Sequence, residues 1–224
     1  RLQLQVVFEA AWARSAEEQR AAVDDLQSTL DDPAEPATPL ERDLVHLCHL
    51  AQLVDAGVED SLVDELEVQA QRVRDAARKI GDLQTLTTAL YHLQLVGSFD
   101  ATWGPVLDLN REIAEIGSLS RRRAALRERT HIYLLGPFPA SALVDHARAT
   151  RTPSLPPLQL FALDLAEQAG LAASGQHDIG RVAELEAIAA ELDTQGTLGH
   201  GQQMLGALHM WSGDLAAAAD DLRS

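Results

Sequence analysis

Five arginines, Arg121, Arg122, Arg123, Arg127 and Arg129, crowd into one short stretch of a chain whose formal charge is −16. Guanidinium forks match carboxylate and phosphate geometry, so such an island suits an anion or an acidic partner. Arg123 and Arg127 stand four apart and share one helix face, while Arg122 and Arg129, seven apart, share a neighbouring one. The competing reading is a solvated helix face, partly neutralised by Glu128 and by distant acids. His46, Cys48 and His49 hold metal-ligand chemistry, but Cys48 points away from the face of the two histidines, and no second ligand pair lies near in sequence. Cys48 as a nucleophile needs an activating neighbour, and its place on an apolar stripe makes it a core residue. No G-x-S-x-G, H-E-x-x-H or phosphate-binding glycine loop occurs. The expectation is a protein that is not an enzyme and uses no metal or cofactor.

Charge and composition narrow the partners. Residues 17–67 carry 15 acids against 2 bases, a net of −13, and residues 152–224 carry 10 against 2, a net of −8. Residues 111–151 run the other way, with 8 arginines against 4 acids, a net of +4. An acidic surface repels nucleic acid and anionic membrane, so no direct contact with either is expected. No apolar run reaches the roughly 20 residues that span a bilayer. Cys48, the single cysteine, has no internal disulfide partner, which fits a cytoplasmic chain. Hydrophobic residues make up 46% and aromatics only 4%. That balance favours closely packed Ala- and Leu-rich helices over strands.

These residues have to be positioned by helices, and glycines punctuate them. Gly97, Gly136, Gly175 and Gly213 are separated by 39, 39 and 38 residues (136−97, 175−136, 213−175). A second ladder, Gly81, Gly117 and Gly196, runs between them, with Pro156-Pro157 at the missing rung. One helix, a turn, one helix, a turn at a period near 38 is the pattern of a helical solenoid. Helices are predicted over residues 1–14 and 16–30, with Ser15 and Glu18 forming a capping box. A loop with Pro33, Pro36 and Pro39 follows over residues 31–39, and helices over 40–56 and 59–80, Gly57 ending the first of these. Paired helices then cover 83–96 with 99–116, 119–135 with 138–150, 157–174 with 179–193, and 198–212 with 215 onward. Residues 1–224 therefore read as a single helical-repeat domain: N-terminal helices over 1–30, the Pro-rich loop over 31–39, and repeats over 40–224. The start at Arg1 and the stop inside a helix suggest a piece of a longer chain.

Leu205, Gly206, Gly213, Asp214, Leu215 and Ala218 resemble the tetratricopeptide repeat (TPR), in which a small residue lets two helices approach and Gly-Asp turns between them. At the place of Gly206 the other copies have Leu90, Arg129 and Gln168. Ala77-Arg78-Lys79-Ile80-Gly81-Asp82-Leu83 with Trp103-Gly104-Pro105 resembles helical regions of large ATP-dependent bacterial activators, the LuxR-type and antibiotic-regulatory signal-transduction ATPases. The chain lacks that family's ATP-binding loop and its basic DNA-recognition helix. The resemblance implies an all-α, TPR-like right-handed superhelix (an α-solenoid) of about a dozen antiparallel helices. It implies a sensor or interaction arm of a bacterial transcriptional regulator, binding a protein partner or another domain of its parent. It also implies that the first helix of each pair lines a concave face. Gln84, Thr87, Tyr91 and Gln94 would face inward there, followed by Arg123, Leu126, Thr130 and Tyr133, and then His200, Gln203 and Met210; Arg127 joins them through the arginine island. The alternative for the aromatic and polar members is gap-filling between helices. Two other functions stay open: a receptor with a small-molecule effector in a closed pocket, and a dimerisation scaffold with a self-complementary apolar face.

Overall fold

The computed structural model describes residues 37–55, 61–152, 155, 157–194 and 200–221. The expected elements within residues 1–36, the helix end at Gly57, the breaker at Gly196 and Pro156 lie outside the described residues. Among the described residues there are ten helices and no strand, so the fold is all-α. They are α1 (Pro39–Asp55), α2 (Ser61–Ile80), α3 (Leu83–Phe99), α4 (Trp103–Ile116) and α5 (Leu119–Leu135). After them come α6 (Ala140–Thr150), α7 (Pro157–Ala172), α8 (Ile179–Thr194), α9 (His200–Ser212) and α10 (Leu215–Asp221).

Local chemistry starts these helices. Thr38 and Glu41 form a reciprocal capping box: Thr38 N–H donates to Glu41 Oε2 at 2.7 Å, and Glu41 N–H donates to Thr38 Oγ1 at 3.3 Å. Pro39 thus opens α1 at a position where no backbone N–H is needed; it belongs to the helix and not to the loop read over 31–39. Asp82 caps α3, its Oδ1 accepting from Thr85 N–H at 3.1 Å and its Oδ2 from Thr85 Oγ1 at 2.8 Å. Asp178 accepts from the N–H groups of Gly180 and Arg181, and Asp214 from that of Ala217. Pro105 falls in the first turn of α4, as its chemistry requires.

A common closure ends four of them. Gly81, Gly175 and Gly213 have φ of +74°, +68° and +82°. The N–H just beyond each reaches back to a carbonyl of the preceding turn: Asp82 to Ala77 at 3.0 Å, Gln176 to Leu171 at 2.9 Å, and Asp214 to His209 at 2.9 Å. These are the left-handed C-terminal closures that favour glycine. The fourth corrects the glycine ladder. Gly97 is inside α3, and the turn comes four residues later, where Ala101 has φ 54° and Thr102 N–H bonds Gly97 O at 2.8 Å. Gly97 is instead a packing glycine, because a Cβ there would lie 2.7 Å from Val106 Cγ2 and 3.0 Å from Thr102 Oγ1.

The described helices pack into two compact units, divided within α5 between Arg121 and Arg122. In the first, α2 lies against α1 and α3, and α3 against α4. Leu47, Leu66, Ala70, Val73 and Ala89 are completely buried in its core. In the second, α7 contacts α6, α8 and α9, and α9 contacts α10. Its core centres on Leu143, Ala147, Leu165, Ala166, Ala169 and Leu185, all fully enclosed. Alanines at so many buried positions bring helix axes close. Gly170 takes this furthest: a Cβ there would sit 2.6 Å from Val144 Cγ2 and 2.8 Å from Ala140 O.

Candidate functional site

The arginine island is divided by its own geometry. Arg121 turns into the first unit, where its Nη2 donates to Oγ1 of the buried Thr88 at 3.3 Å. Its charge also reaches His92 and Cys48. Burial, aided by Arg121, pushes the pKa of His92 down to about 3, so the ring is neutral at pH 7. Burial drives the Cys48 thiol far above its ordinary range, against the opposing pull of Arg121 and a backbone hydrogen bond. A thiol held protonated in this way is neither nucleophile nor metal ligand. His46 faces Glu65 at 3.7 Å and His49 is exposed, so the structure does not bring this trio together.

Much of the positive charge over 111–151 is matched by the chain's own acids. Arg111 meets Asp108 at 2.9 Å, and Arg148 meets Glu167 at 2.8 Å. Arg151 meets Glu167 at 2.9 Å and also Asp164, which in turn holds Arg181. Asp164 and Glu167 of α7 thus tie down the end of α6 and the start of α8. Arg123 is exposed on α5. The side chains of Arg127, His200 and Gln203 lie outside the described residues.

The remaining predicted groove residues separate by burial. Gln84, Tyr91, Leu126 and Tyr133 are half-buried, and Met210 is exposed. Thr87, Gln94 and Thr130 are buried, at 2%, 4% and 1% exposure, which removes them from any open face. Their polar atoms are used internally: Thr87 Oγ1 donates to Gln84 O at 2.9 Å, and Gln94 Oε1 accepts from Asn110 Nδ2 at 3.1 Å. For these residues the gap-filling alternative describes the geometry. Asn110 on α4, itself fully buried, makes this an α3–α4 amide pair.

Thr130 leads to an arrangement in the second unit that gathers polar groups around a recess. Leu126, Thr130, Thr150, Leu155, Gln159, Ala162 and Leu163 line it, with about 10 Å³ of room for the centre of a water-sized molecule. Behind it His146 spans two of the lining hydroxyls. Its Nε2 is 3.2 Å from Thr130 Oγ1, and its Nδ1 is 3.4 Å from Thr150 Oγ1. Thr130 Oγ1 donates to Leu126 O at 3.3 Å, so its lone pairs are left to accept. Nε2–H therefore donates to Thr130, and in the neutral ring Thr150 donates to Nδ1. Burial, and then the charge of Arg129, lowers the pKa of His146 to about 4. Tyr133 packs on this ring at 5.0 Å and meets Phe138 edge-on at 5.0 Å. The sequence reading named Thr130 and Tyr133 as groove residues and did not name His146; the i, i+4 spacing of His146 and Thr150 was the available signal. No family profile matches the chain, and neither the curated proteins nor the solved structures provide a significant match.

Proposed function

We propose that the chain is a helical-repeat binding module: a TPR-like right-handed superhelix of about a dozen helices. In this reading it serves as the sensor or interaction arm of a bacterial transcriptional regulator in the cytoplasm. One observation carries the reading. Of the four left-handed closures, those at Ala101, Gly175 and Gly213 stand 74 (175−101) and 38 (213−175) residues apart, that is, two periods and one, while Gly81 closes the helix before α3 and falls between rungs. A unit repeated at that period buries its apolar faces against its neighbours and leaves a long surface for a partner. The partner is a protein, or another domain of the parent chain, with acidic character opposite Arg123 and Arg127.

The receptor alternative draws little from the recess beside His146, since about 10 Å³ holds one water while ligand pockets run to roughly 300–1,000 Å³. The experiment uses a fluorescein-labelled poly-glutamate peptide as the acidic probe and reads anisotropy. Binding should weaken as salt rises, because exposed charges are screened beyond about 8 Å at physiological ionic strength. Arg123→Glu with Arg127→Glu should abolish it while the far-ultraviolet helical signal is unchanged. Salt-independent binding, or binding retained by the double variant, would overturn the acidic-partner assignment.

A further inference from the structure

We propose that the recess between α5 and α7 anchors the partner, taking one methyl group of a valine-sized side chain in an acidic segment. This rests on the acidic-partner assignment and adds the apolar contact that fixes where the segment sits. Leu126 and Thr130 reach the recess from α5, and Ala162 and Leu163 from α7. Thr150 and Leu155 close it from the end of α6 and the link beyond. Both α5 and α7 are the first helix of a pair, so the recess lies on the face that the repeat reading assigns to partners.

Size and chemistry select the occupant. The room, about 10 Å³ for the centre of a water-sized molecule, matches one methyl group. A water held there would need roughly two to four polar partners. The two hydroxyls of the wall are already engaged: Thr130 Oγ1 with Leu126 O and His146 Nε2, and Thr150 Oγ1 with His146 Nδ1. What meets a guest is mainly apolar, from Leu126, Leu155, Ala162 and Leu163. Thr130, Ala162 and Leu163 are buried, so these walls stand before anything binds and little ordering is left to binding. Gln159, half-buried in the first turn of α7, supplies an amide that can pair with the backbone of a bound segment.

Charge selects the rest of the segment. Arg123 is exposed, and it stands three residues before Leu126 and seven before Thr130 (126−123, 130−123), on the same face of α5. Residues 111–151 carry a net charge of +4 in a chain of −16. The acids on α5 and α7 serve bases of the same unit: Glu128 faces His131 at 3.7 Å, and Asp164 and Glu167 hold Arg148, Arg151 and Arg181. A carboxylate-rich segment laid along α5 therefore meets positive charge one turn from the recess.

Fluorescence anisotropy on the 224-residue chain tests this with three fluorescein-labelled, glutamate-rich peptides. They differ only at one central residue, which is alanine, valine or phenylalanine. The valine peptide should bind about fourfold more tightly than the alanine peptide, the effect of one buried methyl group. The phenylalanine peptide should gain nothing, because its ring exceeds the recess. Rising salt should weaken all three while the valine-to-alanine ratio stays at about four. Ala162→Leu, which fills the recess from its buried wall, should bring that ratio to about one. Gln159→Phe, which covers it from the half-buried side, carries the test if Ala162→Leu lowers the melting temperature. Equal binding of all three peptides, or a phenylalanine peptide that binds as tightly as the valine one, would overturn the anchor and leave the acidic-partner assignment standing. No binding by any of them would overturn both. Sedimentation of the chain alone checks a second copy as occupant: a dimer that Ala162→Leu dissociates would assign the recess to self-association and overturn the acidic segment.

Discussion

The two units each enclose a neutral histidine, and they enclose it differently. His92 in the first unit is fully buried, against an arginine that comes in from α5 and alongside an aromatic neighbour, Tyr91, at 5.6 Å. His146 in the second is wired between two threonine hydroxyls at the back of a recess. In the first unit burial alone accounts for most of the shift, and a charge sets the remainder. In the second, burial is again the larger cause and the charge of Arg129 the smaller, but the ring also has hydroxyl partners on both nitrogens. The units also differ in how their closest helix pairs touch. Gly97 meets the side chains of Val106 and Thr102, whereas Gly170 meets a backbone oxygen, Ala140 O, as well as Val144. A side chain can rotate or shift by tenths of an ångström, but a helix carbonyl moves only with its helix.

That difference gives the largest expected effect. Gly170→Ala should destabilise the protein by about 3 kcal/mol, because α6 and α7 must separate to admit a Cβ. Gly97→Ala meets only side chains and gains up to about 1 kcal/mol of helix propensity, so its loss should be about 1–2 kcal/mol. Urea melts of both variants check the order. Equal losses, or a greater loss at Gly97, would mean that the backbone contact at Gly170 is not the controlling one.

Acidification tests the histidines. Both have folded pKa values depressed below the ordinary value near 6.5, to about 3 for His92 and about 4 for His146. At pH 7 the folded chain leaves them neutral and the unfolded chain protonates only about a quarter of each, a loss of about 0.2 kcal/mol per ring. Below about pH 6.5 the unfolded chain binds protons that the folded chain refuses, so stability falls as pH falls, by up to about 1.4 kcal/mol per pH unit for each ring. Between pH 7 and pH 5 that amounts to about 2 kcal/mol each. The loss from His146 ends near pH 4, and that from His92 continues toward pH 3. His92→Gln and His146→Gln should each remove one share of the slope. A slope unchanged by either variant would overturn the assignment of this acid sensitivity to the two rings.

Much of the helical plan was legible in the sequence, because Gly-Asp turns and apolar stripes are local signals. Gly81-Asp82 and Gly213-Asp214 became turns with the Asp as cap, as their chemistry dictates. Gly97 was misread because glycine serves two purposes, a left-handed turn or a close approach, and only the packed partner, Val106, distinguishes them. Gly170 shows the same ambiguity from the other side: no turn residue flanks it, so sequence alone gave it no role. Gln94 and Thr130 were read as groove residues because the TPR resemblance places the first helix of each pair on a concave face. Their partners, Asn110 and His146, each stand 16 residues away on the next helix, beyond what helical periodicity can register. Arg121 was counted with an exposed island although its length let it reach Thr88, 33 residues earlier. The side chain's reach, and not its place in the sequence, decided where that charge went.

The smallest effect should be a gain, and it compares the two kinds of closure. Gly175 and Gly213 in the second unit hold the left-handed turn with glycine, as Gly81 does in the first, while Ala101 holds it with a side chain. The left-handed conformation costs an L-residue about 1–2 kcal/mol. Glycine avoids that cost but gives the unfolded chain more freedom, which returns about 0.4–1 kcal/mol. Ala101→Gly should therefore stabilise the protein by about 0.5–1 kcal/mol. At Gly81, Gly175 and Gly213 a Cβ would meet nothing within 4 Å, so placing alanine there tests the backbone term without any packing term. Gly175→Ala and Gly213→Ala should each lose about what Ala101→Gly gains, a difference of sign with nearly equal magnitude. Thermal or urea melts at pH 8, where His92 and His146 contribute almost no proton uptake, measure all three. A loss from Ala101→Gly would show that the Ala101 methyl group contributes packing that outweighs its backbone strain. The turn would then be selected for contact at that position and not merely tolerated as a substitute for glycine.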